Sequence, residues 1–69
     1  MYVVYAIYNA RHRKYYIGQT KDLVERLRLH NEKEFGGYTS TFDGMWSLIY
    51  SEVVDSRDKA LIREKQLKS

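Results

Sequence analysis

The sequence predicts a small α/β domain of the α+β type, in the order β-β-α-β-α, with a three-stranded antiparallel sheet and flanking helices. Three observations carry this. Tyr2 to Tyr8 is almost wholly apolar or aromatic, and a second short strand-like run follows it too closely to be anything but the return arm of a hairpin. A further alternating run, Trp46 to Val54, is separated from the hairpin by one helical pattern and followed by another.

Each element has its own local cause. A strand as apolar as Tyr2 to Tyr8 needs both faces covered, which places it in the middle of the sheet with the other two strands beside it. Asn9 to Lys14 is a polar, basic turn, and Tyr15 to Gln19 is the return strand. Thr20 or Asp22 caps the first helix, with Glu25 three positions after Asp22 in the manner of an acidic capping box; the helix runs to about Asn31 and offers Leu23, Val24 and Leu27 as its buried stripe. Glu32 to Gly44 reads as a loop with one turn of helix at most, broken most sharply at Gly36-Gly37. Asp55 or Ser56 caps the last helix, from Arg57 to about Lys68. With 69 residues and no repeat or linker, the chain reads as one domain, residues 1–69, near the lower size limit for a core that holds unaided.

Composition excludes several chemistries. The absence of Cys rules out a disulfide scaffold, a thiolate zinc site and a cysteine nucleophile. No apolar run approaches the length of a membrane helix and no leader resembles a secretion signal, so the expectation is a soluble cytoplasmic protein with no membrane partner. A formal charge of +3 suits a polyanionic partner, although inert small domains often carry as much. Seven tyrosines are many for this length; most are expected to pack. A domain this small with exposed aromatics also has the surface for a homodimer.

Strand periodicity puts Val3, Tyr5 and Ile7 on one face and Val4, Ala6 and Tyr8 on the other, while Tyr16 and Gly18 share a face of the second strand. Whether Tyr5 and Tyr16 face the same side depends on the turn register. A glycine at 18 suits a point where another group approaches the backbone closely. On the first helix Asp22, Arg26 and His30, four apart, form a polar edge; Arg26 suits a phosphate or its transition state, whereas His30 serves proton transfer, phosphate binding or the helix end equally well. Glu64 falls between Ala60 and Leu67 on one side and Leu61 on the other. A carboxylate there must be paired (with Arg57, Arg63 or Lys68), bound to metal, or facing a cleft, because burying it alone costs several kcal/mol. One carboxylate needs water and substrate phosphate to complete the shell of a hard divalent cation, as Mg2+ or Mn2+ permits, so such a site is weak without nucleic acid.

Val3-Val4-Tyr5, Tyr16-Ile17-Gly18, Gln19 through His30, and Ala60 through Lys68 together resemble the GIY-YIG nuclease domain, particularly small stand-alone members related to the N-terminal catalytic module of the repair nuclease UvrC. Tyr38-Thr39 and Trp46 through Glu52 are similar to the intervening segment of those small members. Val3 stands where the motif has its first glycine. Larger members place further C-terminal residues, an asparagine among them, around the site and append a DNA-binding domain.

The resemblance implies a metal-dependent DNA endonuclease that hydrolyses phosphodiesters, in DNA repair or recombination. Tyr5 and Tyr16 would lie across the active site, one assisting water activation and the other positioning or relaying a proton. Arg26 would stabilise charge on the scissile phosphate, His30 would support proton transfer or phosphate placement, and Glu64 would hold the divalent ion. Arg11, Arg13, Lys14, Lys21 and Arg28 are the candidate DNA contacts, enough for marked salt dependence with little sequence selectivity. The alternative is a non-catalytic nucleic-acid-binding or protein-interaction module that keeps the scaffold.

Overall fold

The computed structural model describes residues 1–32 and 38–68. It contains β1 (Tyr2–Asn9), β2 (Lys14–Thr20), α1 (Leu23–Asn31), a one-turn α2 (Tyr38–Thr41), β3 (Trp46–Val54) and α3 (Arg57–Lys68). The sheet order is β2-β1-β3 and both pairings are antiparallel. The apolar first strand is therefore central, and Val4, Tyr5, Ala6 and Ile7 are all buried. Gly36-Gly37 lies outside the described residues.

The hairpin closes over Ala10 to Arg13, with Asn9 opposite Lys14. Asn9 Oδ1 accepts the His12 backbone N–H at 3.2 Å and its amide donates to Asp43 O at 2.9 Å, so one buried side chain shapes the turn and ties it to the loop before β3. Arg13 takes the left-handed conformation (φ 55°), the strained position that lets the chain re-enter the sheet.

Tyr5 lies opposite Gly18 and Ile7 opposite Tyr16, so Tyr5, Ile7, Tyr16 and Gly18 share one face. The core is built there from Tyr5, Ile7 and Trp46, with Leu23, Leu27 and Phe42 packed against it. Asn31 fastens α1 to β3: it accepts the Trp46 N–H at 2.7 Å and donates to the Trp46 carbonyl at 3.2 Å. Asp22 is the N-cap, accepting the Glu25 N–H at 3.1 Å. The Thr20 hydroxyl accepts the Asp22 N–H at 3.2 Å, so β2 passes into the helix with its donors satisfied.

Two expectations about α1 need correction. Val24 is 82% exposed and does not belong to the buried stripe. His30 takes that place: it is 3% exposed and continues the inward line of Leu23 and Leu27 at i+7, so it does not lie on a polar edge with Asp22 and Arg26. The helix turned its histidine inward because partners for both ring nitrogens wait there.

On the other face, Glu52 lies opposite Val4 and accepts Arg63 Nε at 3.0 Å on each oxygen, which pins α3 across that side with Ala60 fully buried beneath it. Leu61 is exposed, so the apolar stripe of α3 is narrower than its spacing predicts. No helix among the described residues is long and apolar enough to cross a membrane.

Candidate active site

The pairing register brings three rings together. The Tyr5 and Tyr16 centroids are 6.3 Å apart, Tyr5 and His30 5.9 Å, and Tyr16 and His30 5.0 Å. Gly18 makes the arrangement possible: a Cβ there would lie 2.9 Å from both the Tyr5 hydroxyl and Tyr16 Cε2, and 3.1 Å from Tyr5 Cζ. Its role is room for two phenols, as the close-approach reading of the glycine anticipates.

Tyr5 and His30 are sealed. Tyr5 is 1% exposed, and its Oη lies 2.8 Å from His30 Nε2, while His30 Nδ1 lies 2.9 Å from Thr39 Oγ1. If Nε2 accepts from the phenol, Nδ1–H donates to threonine; if Nε2–H donates, Nδ1 accepts from the threonine hydroxyl. Both tautomers satisfy the ring, and the chain of groups is continuous either way. Trp46 steadies its far end by donating its indole N–H to Thr39 O at 3.2 Å. Thr39 and Trp46 are thus supporting residues that no local pattern marks, since only the tertiary contact reveals them.

Electrostatics separates the two tyrosines. Burial pushes the Tyr5 phenol well above the ordinary tyrosine range; Tyr16 and Glu64 add to the rise, and the Arg26 guanidinium opposes it. Tyr5 therefore holds its proton, and Tyr16 is the half-exposed phenol of the two. The charges of Arg26 on α1 and Glu64 on α3 thus act on the Tyr5 phenol in opposite directions.

Glu64 is not an unpaired buried charge. Its side chain is 20% exposed and accepts from Lys68 Nζ at 2.7 Å, one turn along the helix. Among the described residues no three His, Asp or Glu side chains converge as a metal-binding group. Glu64, a partly exposed carboxylate whose partner Lys68 is half-exposed, fits a divalent ion that takes its other ligands from water and phosphate once Lys68 is displaced.

The candidate DNA contacts are in unequal positions. Arg11 pairs with Asp43 at 3.3 Å, and Arg28 is held between Glu25 and Glu32, so both carry charge that is already met. Arg13 occupies the exposed hairpin tip and Lys14 lies 5.9 Å from the Phe42 ring. Lys21 lies 5.5 Å from the Tyr2 ring, at an open cleft of about 420 Å³ whose wall also includes Arg26 and Arg57.

A cluster of tyrosines mounted on a three-stranded sheet, facing a helix that brings arginine and histidine to it, is the architecture of a small nuclease domain. The family model described as the GIY-YIG catalytic domain matches residues 1–69, and the chain belongs to that family of nucleases. Its members are in general dependent on a divalent metal. Comparison with curated proteins and with solved structures gives no match.

Proposed function

We propose that this domain is a divalent-metal-dependent DNA endonuclease that hydrolyses phosphodiester bonds, acting in DNA repair or recombination. The observation that carries the reading is the packing of the Tyr5, Tyr16 and His30 rings against one another, with Tyr5 hydrogen-bonded to His30, in a chain of a nuclease family. Packing alone explains a tyrosine pair; it does not explain a buried histidine whose two ring nitrogens meet Tyr5 and Thr39, with the charges of Arg26 and Glu64 acting on the same phenol.

The half-exposed Tyr16 orients the attacking water through its hydroxyl. Tyr5 and His30, hydrogen-bonded at 2.8 Å and buried, fix the floor on which Tyr16 stands. Arg26 directs its fixed charge and planar donors at the phosphoryl oxygens, where negative charge grows as water attacks phosphorus. A divalent ion held by Glu64 would supply concentrated positive charge to the same phosphate and its departing oxygen. Lys68 must leave Glu64 for that to happen, and a 52% exposed side chain on a flexible stem does so at little cost.

The test is nicking of supercoiled plasmid in Mg2+ or Mn2+ by wild type, Glu64→Ala and Arg26→Ala. Loss of cleavage in both variants supports the reading, whereas cleavage that persists unchanged in Glu64→Ala overturns the metal role. The Glu64–Lys68 pair favours one other reading, a scaffold that binds nucleic acid or protein without cutting, and salt-sensitive binding with no nicking would establish it.

A further inference from the structure

The open cleft of about 420 Å³ at the start of α1 is lined by Tyr2, Gln19, Lys21, Arg26 and Arg57, among others. Its cations come from three places in the chain: the β2–α1 junction, the second turn of α1, and the first residue of α3. Two carboxylates also line it, fewer than its three cations, and each already has a partner. Glu25 is held below the ordinary carboxylate range chiefly by its hydrogen bonds to Arg28, outside the cleft, and Asp22 caps α1. Lys21 has its ammonium near the Tyr2 ring on the same wall, and Arg57 is exposed at the mouth.

We infer that Lys21 and Arg57 form a second phosphate subsite, which holds the backbone phosphate of a nucleotide flanking the one attacked at Arg26 and Tyr16. Arg26 lines this cleft and also acts electrostatically on the Tyr5 phenol, so it joins the two regions. A strand with one phosphate at Arg26 presents its neighbour to the cleft, where a guanidinium and an ammonium from opposite elements meet it. The subsite fixes the position of the strand, and Arg57, which the sequence offers as the start of α3 and as one possible partner of Glu64, is a positioning residue. This inference rests on the nuclease reading, and binding separates it from catalysis.

The experiment measures affinity for a short fluorescein-labelled DNA duplex by anisotropy across a salt series, with Ca2+ in place of the supporting ion. Wild type, Arg57→Ala, Lys21→Ala and the charge-matched control Lys59→Ala are compared, with folding checked by circular dichroism. Each lost phosphate contact lowers the slope of log K against log salt by about 0.9. Arg57→Ala and Lys21→Ala are expected to show that drop, and Lys59→Ala, which pairs with Asp55 away from the cleft, to show none. Slopes unchanged in both cleft variants, equal drops in all three, or no salt-dependent binding by wild type would overturn the subsite. Unchanged slopes alongside metal-dependent nicking remove the subsite and leave the nuclease standing; lowered slopes without nicking do the reverse.

Discussion

The Tyr5 hydroxyl lies 2.8 Å from His30 Nε2, and both residues are buried beneath Tyr16 with His30 anchored on Thr39 behind. Removing that hydroxyl leaves a buried imidazole nitrogen without its partner, at a cost of about 1–3 kcal/mol. Tyr5→Phe is expected to unfold at lower urea concentration by that amount and to nick plasmid more slowly. Thr39→Val, which strips the other ring nitrogen, is expected to behave alike, and wild-type stability in both variants would contradict the relay.

The raised Tyr5 pKa has a definite consequence at alkaline pH. A group whose folded value exceeds its unfolded value of about 10 contributes stability that is whole below that pH and is lost as pH rises above it, because the unfolded chain releases the proton first. Urea denaturation from about pH 9 to pH 12 should show wild type losing stability more steeply than Tyr5→Phe. Parallel curves would contradict this.

Glu52 works in the opposite direction. Hydrogen bonds from the Tyr50 hydroxyl, then Arg63, hold its carboxyl below the ordinary glutamate value. The stability it provides is present above about pH 4.3 and is lost as pH falls through the depressed folded value. Glu52→Gln is therefore expected to be less stable than wild type at neutral pH, with the gap closing in acid. A gap that stays constant down to acid pH would show that the ion pair contributes nothing.

Gly18→Ala tests the room between the two phenols. A methyl 2.9 Å from the Tyr5 hydroxyl and Tyr16 ring forces both to move, and overpacking of this kind costs about 1–3 kcal/mol. The melting temperature should fall, and nicking should fall further than stability loss explains. A fully active, fully stable variant would mean that the rings yield freely.

Glu64 and Lys68 make an ordinary helix-surface pair, worth about 0.3–0.5 kcal/mol. Glu64→Gln should fold as wild type does and lose cleavage. Lys68→Ala removes the competing cation, so half-maximal nicking should require less Mg2+; a requirement that rises or stays the same would argue against metal at Glu64.

The order of elements was legible in the sequence because each rests on local signals: an apolar run for β1, Asp22 as a cap for α1, alternation for β3, and a cap before Arg57 for α3. The family was legible as well, from Tyr16-Ile17-Gly18 and the resemblance of the segments around it, and the family model matches residues 1–69. What tertiary structure alone decided concerns faces and partners. The four-residue turn from Ala10 to Arg13 set the register that puts Tyr5 and Tyr16 on one side, a choice that strand periodicity leaves open. Contact with Tyr5 on β1 drew His30 inward where helix spacing placed it at a polar edge, and of the three cations offered to Glu64, Arg63 turned to Glu52 on β3 while Lys68, one turn along the same helix, took Glu64. Spacing determines direction within one element; which charges and hydroxyls meet depends on elements distant in the chain, and no local pattern contains that.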